Sequence, residues 1–291
     1  MFSVKPAQQS FWDWRVAGNF VFGGTGTGIL VFTILTLTQG DMRVPALAGL
    51  GFIAFGLFLV WTEIGRPFRF INVLRNPWTS WMSREAWAAG FLFAAGLPAV
   101  YFQNKLLLGL SALFAAAFLF SQAKMLVRSR GIPAWREPAI LPLVLATGLC
   151  EGAAALLILM QISPHIFAHI AYLLGALAIL RAVFYWNYAK RLHENRAPDA
   201  VCKLLKFTNI VVYVPGLVIP LAMLVLAGLL PEYEAPILVF AAFPALIAGW
   251  ELKFRIVCRM GHVQGMALNR APARGSGTSA EGAQPGWRGQ S

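Results

Sequence analysis

Few side chains in this sequence can do acid–base or hydrogen-bonding chemistry away from water, so their positions carry information. Glu151 stands alone in a long apolar run, and Arg181 is the basic residue that falls within the body of another. A carboxylate at such depth needs a partner or a proton, because an unpaired buried charge is costly. Two readings follow for Glu151: a hydrogen bond to a neighbouring helix, or a proton relay with Arg181 as partner. Asn19, Glu63, the pair Gln122 and Lys124, the pair Arg181 and Asn187, and the pair Glu251 and Lys253 each fall near one end of an apolar run. They form one polar layer. Lys124, Lys253 and Asn187 fit interfacial snorkelling and helix capping. Asn19 and Glu63 are too short to snorkel far, which makes them the candidates for binding a polar ligand.

A second constellation is the segment 61–85, which holds Trp61, Trp78 and Trp81 with Arg66, Arg69, Arg75 and Arg84. So many aromatic and cationic groups between two apolar runs suit an ordered cap rather than a linker. Arg69, Arg75, Trp78, Trp81 and Arg84, with Arg130, Trp135 and Arg136 from a later loop, are its candidate docking residues. Arginine forks give charge-assisted contacts to acidic or carbonyl groups.

The elements that must position these groups are helices in lipid. The chain is 58% hydrophobic and 12% charged, with mean hydropathy +0.64. A chain of this size cannot hide that much apolar surface from water. A bilayer core needs about 20 apolar residues per helix. Eight runs qualify, at about 16–38, 44–62, 85–102, 105–127, 138–162, 165–187, 206–230 and 235–254. They lack the alternation of a membrane β-barrel. The fold expected is therefore all-α: a polytopic bundle of eight transmembrane helices. Residues 1–15 form an N-terminal segment, 16–255 the bundle with its cap at 63–85, and 256–291 a tail that is Gly/Ser/Pro-rich and disordered from about 269. The first run is too long for the apolar stretch of a cleaved signal peptide, so it should stay in the membrane.

Eight spans put both termini on one side. Of the 24 Lys and Arg residues, only Arg43 and Lys105 fall on the opposite side. The positive-inside rule then makes the terminal side cytoplasmic. This topology accounts for the net charge of +12, so nucleic acid is not a partner and anionic lipid is. Cys150, Cys202 and Cys258 are too dispersed to hold zinc or an iron–sulfur cluster. His165 and His169 share one helix end, His193 lies in the loop 188–205 and His262 in the tail, an arrangement unsuited to transmembrane haem. The glycines of 23–28 sit inside an apolar helix, where they serve close helix packing rather than phosphate binding. No repeat relates the two halves of the sequence.

Two stretches carry a family resemblance. Gly65-Arg-Pro-Phe-Arg-Phe-Ile-Asn72, followed by Thr79-Ser-Trp-Met-Ser-Arg-Glu85, resembles the NrfD/polysulfide reductase/DMSO reductase family of membrane anchor subunits. The eight-helix layout agrees over about residues 10–258. The stretch from Gln122 to Met125, with Arg130-Gly-Ile-Pro-Ala-Trp-Arg-Glu-Pro138, is similar to the same group, and especially to anchors of phenylacetyl-CoA:acceptor oxidoreductase-type enzymes. The resemblance implies a subunit with no haem or metal of its own. It would bind a quinone, menaquinone or ubiquinone, near the face where an iron–sulfur, ferredoxin-like subunit docks. That subunit would exchange electrons with a molybdopterin catalytic subunit. The implied quinone site comprises Asn19, Trp61, Glu63, Arg66 and Ser83. The family pattern has His where this chain has Glu63, so a carboxylate takes that role or the site is shifted. A secondary transporter built on Glu151 and Arg181 is the competing expectation, with Pro98, Pro215 and Pro220 as candidate helix breaks.

Overall fold

The structure, a computed structural model, describes residues 2–36, 42–65, 67–159, 164–195 and 197–268. Eight helices in it are long and apolar enough to cross a bilayer. They are α1 (Trp14–Thr36), α2 (Arg43–Glu63), α3 (Trp81–Phe102), α4 (Lys105–Val127), α5 (Ile140–Leu159), α6 (Pro164–Glu194), α7 (Asp199–Leu229) and α8 (Pro231–Arg259, which opens with a short 3₁₀ turn). The protein is a multi-pass membrane helix bundle. The stretch 269–291, expected to be disordered, lies outside the described residues, as does Arg66.

Helix starts are set by local chemistry. Ser80 caps α3 by accepting from the amide of Ser83, and Asn104 caps α4 by accepting from the amide of Leu107. The cap at Ser80 starts α3 a turn earlier than hydropathy alone does. It brings Trp81 to Arg84 into the helix, ahead of Glu85. The connection expected over 188–205 is also much shorter than that. Helix α6 continues to Glu194, so His193 is in its last turn, and α7 begins at Asp199. The extension is held from outside the apolar run: Tyr188 donates to the Ala134 carbonyl at 2.8 Å, and Asn195 donates to Glu137 at 2.8 Å. Hydropathy marks where lipid ends, not where a helix ends.

The helices sort into two groups of four. In the first, α1 packs on α2 and α4, and α3 on α4 and α2. In the second, α5 packs on α6 and α8, and α7 on α6 and α8. The groups join where α1 meets α5, α4 meets α5 and α1 meets α8. The glycines decide the α1–α5 contact. A Cβ added at Gly28 would lie 2.7 Å from Gly152 Cα, and one at Gly24 3.1 Å from Gly148 Cα. Two pairs of glycines four residues apart thus face one another, and no larger residue fits. With little hydrophobic drive between helices in lipid, such backbone contact holds them together. The packing role expected of the 23–28 run is what the structure gives it.

Helix α7 is interrupted by a π turn at Val214–Val218, which contains Pro215. Proline removes a backbone donor and crowds the preceding turn, which is a usual cause of such a break. Pro98 sits inside a continuous α3.

The terminal side carries the extramembrane structure. Strand β1 (Phe2–Val4) pairs antiparallel with β4 (Met266–Leu268), and β2 (Ala7–Gln8) with β3 (His262–Val263). The N-terminal segment and the start of the tail therefore form one ribbon, and the two ends of the described chain lie on one side. Gly265 has φ +63°, and a Cβ there would collide with the Val4 carbonyl, so glycine is needed at this bend. The ribbon is tied down by Gln264, whose amide donates to Gly131 at 3.0 Å and whose side chain accepts from Arg136 at 2.8 Å.

Candidate functional site

Beneath this face the structure builds a buried polar cluster from three helices of the first group. Glu85 of α3 is 6% exposed, Asn19 of α1 3% and Gln122 of α4 fully buried. Asn19 Nδ2 donates to Glu85 Oε1 at 2.9 Å, and Gln122 Nε2 donates to the same oxygen at 3.1 Å. Gln122 Nε2 also reaches the Asn19 backbone carbonyl at 3.1 Å. Their amide oxygens, Asn19 Oδ1 and Gln122 Oε1, are buried with no donor among the described residues. The cluster is rich in acceptors and short of donors. A buried acceptor without a donor costs on the order of 1–3 kcal/mol. A hydroxyl or a proton is what this arrangement takes best.

This changes the expected pairing. Asn19 does not meet Glu63. It lies level with Gly56 of α2, where an added Cβ would be 3.1 Å from Asn19 Oδ1. Gly56 is seven residues before Glu63, about 10 Å along a helix. Glu63 ends α2 and is half-buried. Arg15 lies between it and the N-terminal segment, pairing with Asp13 at 2.8 Å and donating to the Thr62 carbonyl at 3.0 Å. That pairing holds the Asp13 carboxyl below its usual range. Trp61 is 42% exposed and stacks on Phe58. Ser83 is buried, and its hydroxyl donates to the Val73 carbonyl, which occupies it with the cap. Of the expected quinone residues, then, only Asn19 belongs to the cluster, and Arg66 is outside the described residues. Glu85 and Gln122 complete it.

The cap itself is a 3₁₀ helix, Pro67–Arg75, followed by a turn into α3. It is fastened to α3 by side chains: Ser83 to Val73, Trp87 Nε1 to the Leu74 carbonyl at 3.1 Å, and Arg84 to the carbonyls of Pro77 (2.8 Å) and Trp78 (2.7 Å). The Arg84 guanidinium also lies 4.1 Å over the Trp81 ring. Arg84 is thus a fastener of the cap as well as a surface cation. Arg69 and Arg75 are exposed, Phe68 is 89% exposed and Trp78 88%. Phe68 and Trp78 thus stand uncovered by the described residues in the same segment as these arginines. Arg130 and Arg136 are exposed on the same side. Trp135, expected to dock a partner, is instead 3% exposed. It stacks on Trp12 with centroids 4.8 Å apart and donates to the Ile256 carbonyl at 2.7 Å. It clamps the loop before α5 to the end of α8.

A groove of about 610 Å³ opens between these parts, lined by Trp12, Trp78, Trp81, Met82, Arg84 and Met125 among others. Trp81 and Met82 lie one turn before Glu85. A second groove, about 520 Å³, runs between α1, α2 and α8 and is lined by Phe22, Phe55, Trp250 and Phe254 among others.

The second polar centre lies in the other group. Glu151 pairs with Lys253 of α8 at 2.6 Å, both side chains being buried. Lys253, expected to snorkel outward, points into the bundle. Arg181, the expected partner, bonds instead to the carbonyls of Ala245 (2.9 Å) and Gly216 (2.6 Å). His169 is exposed on α6.

No protein-family model matches this chain, and no curated protein sequence matches it.

Proposed function

We propose that this chain is the membrane anchor and quinone-reactive subunit of an iron–sulfur/molybdopterin oxidoreductase complex, exchanging electrons between the quinone pool and an iron–sulfur partner. One observation carries the reading. Glu85 is buried at the edge of the membrane, held through a single oxygen by Asn19 and Gln122, with undonated amide oxygens beside it. A quinone, menaquinone or ubiquinone, supplies two-electron chemistry coupled to two protons. Glu85 is the group here that can hold a proton, Asn19 and Gln122 set its position, and their free carbonyls can accept from a hydroxyl. Trp81, one turn before Glu85, offers a flat ring in a groove that Thr79, Ser80, Arg84, Arg128, Ser129 and Arg130 make largely polar. The exposed Arg69, Arg75, Phe68 and Trp78 form the surface for the iron–sulfur subunit.

Affinity purification of the tagged chain from its native membrane tests this. Iron, molybdenum and quinone should co-purify. Arg75→Glu should lower the co-purified iron and molybdenum at least fivefold while the chain stays in the membrane. Arg75 suits this test better than Arg84, whose loss would unfasten the cap itself. A preparation without iron and molybdenum would sink the proposal.

We place the terminal face in the cytoplasm of a bacterial cell, on the distribution of Lys and Arg. A C-terminal alkaline phosphatase fusion should be inactive and a fluorescent-protein fusion bright. The reverse pattern would put the partner subunits outside.

A secondary transporter is the second reading. The buried Glu151–Lys253 pair, and Arg181 bound to a carbonyl of the broken helix α7, favour it. A chain purified with neither metal nor quinone would support that reading.

A further inference from the structure

Three charged heads meet in the membrane interior, and the quinone site uses none of them. Lys253, Glu151 and Arg181 are 1%, 0% and 1% exposed. Lys253 Nζ donates to Glu151 Oε2 at 2.6 Å and to the Phe20 carbonyl at 2.9 Å. Glu151 Oε1 has no donor among the described residues. The main chain is cleared around each head. A Cβ at Gly24 would collide with Lys253 Nζ, and one at Gly216 would lie 2.9 Å from Arg181 Nη2. A Cβ at Gly249 would lie 2.7 Å from Glu151 Oε1 and 3.1 Å from Arg181 Nη1. Glu151 Oε1 and Arg181 thus face each other across one glycine. Glycines from three helices make room for these charges, so the centre is built, not incidental.

Its charge does not balance. Two cations share one carboxylate, and net charge in so dry a place is costly. Arginine does not give up its proton, so Arg181 is fixed at +1 and matches Glu151. Lys253 is then the variable member. With its proton the centre carries +1, and without it the centre is neutral. The described residues around it offer no second carboxylate. From α1 come the Phe20 carbonyl and the Thr25 hydroxyl, which lies 3.2 Å from Glu151 Oε2. That hydroxyl also accepts from Trp250 of α8 at 3.0 Å. From α5 comes the buried thiol of Cys150. From α7 comes only the Gly216 carbonyl, on Arg181. Glu251 is engaged by Arg255 at 2.7 Å. The centre also abuts the first cluster. Gln122 holds the Asn19 carbonyl and Lys253 that of the next residue, Phe20.

We propose that Lys253 is a proton-loading residue: it takes one proton from water and returns it, through Glu151 Oε2, while Arg181 holds the counter-charge of Glu151. In each exchange an N–H bond at Nζ breaks as an O–H bond at Oε2 forms, and the reverse. The loading belongs to the chain itself, and only its coupling to turnover rests on the quinone reading. The test has two arms, both on the native complex in lipid vesicles. In the first, a pH jump is followed with a proton-sensitive dye. Wild type should take up about one more proton per chain than Lys253→Met, and Lys253→Arg should match Lys253→Met. Equal uptake by wild type and Lys253→Met overturns the proposal. In the second, quinol-driven proton movement should fall at least tenfold in both variants while quinol turnover stays within threefold. Proton movement preserved in Lys253→Arg, or turnover lost with it in both variants, overturns the coupling. Should wild type show no quinol turnover, the quinone reading fails and proton uptake alone decides.

Discussion

Glu85→Gln should lower quinol-dependent turnover of the assembled complex at least a hundredfold, while activity of the catalytic partner with a soluble dye stays within twofold. The substitution keeps the size and the two accepted hydrogen bonds, because the carbonyl of the new amide can still take Asn19 Nδ2 and Gln122 Nε2. It removes the one proton-holding group in the cluster. A loss of two decades is about 2.7 kcal/mol of barrier, within the range for a positioned acid–base group. Dye electrons enter beyond the membrane subunit, so they report assembly alone. Glu63→Gln provides the contrast. Glu63 ends α2 on the terminal side, away from Asn19, and its loss should change quinol turnover less than threefold. If Glu63→Gln is the damaging change and Glu85→Gln is silent, the site lies at the end of α2, under the N-terminal segment, rather than between α1, α3 and α4.

The difference between these two carboxylates shows what the sequence discloses. Hydropathy is a sum over many residues, so the eight spans and their ends on the apolar side are legible. The side on which both termini lie follows from parity, and the glycine run declares close packing because phosphate binding needs a strand that is absent there. What depends on helix azimuth is not legible. Glu63 and Glu85 both close apolar runs at the same edge, and nothing in one sequence says which faces Asn19. The signal that could have found Glu85 lies in the capping residue: Ser80 at an N-cap makes Glu85 a residue of the first helical turns, hence of the bundle. Lys253 departs from expectation for a similar reason. A lysine near a helix end is ordinarily a snorkelling one, and only a glycine opposite, Gly24, lets it turn inward. Trp135 reads as a surface aromatic because its partners Trp12 and Ile256 are far away in the sequence. The ribbon between residues 2–8 and 262–268 gives no alternating pattern, and its pairing is set by the bundle that brings the two ends together.

The largest effect on folding should come from Glu151→Gln. That change leaves Lys253 and Arg181 buried together with no anion, held only by neutral carbonyls. Removing one partner of a buried pair costs about 3–5 kcal/mol because it strands the other charge. Here it strands Arg181 outright, and Lys253 either stays charged without an anion or must give up its proton. Lys253→Met is the milder change, since Glu151 keeps Arg181 across Gly249 and the methionine fills the same space. The double substitution Glu151→Gln with Lys253→Met still leaves Arg181 without its anion, on the two carbonyls it already holds, and should recover the part of the loss that Lys253 causes. Thermal stability of the detergent-solubilised chain, followed by loss of the monodisperse species, reads the cycle. The expected order is wild type, Lys253→Met, the double variant, then Glu151→Gln. The double variant should lose less than the sum of the two single variants, because Lys253 without Glu151 is worse than neither. If instead Glu151→Gln is as mild as Lys253→Met, then neither cation depends on the carboxylate. The pair would then be a simple hydrogen bond between neutral groups, and Arg181 would have its counter-charge elsewhere.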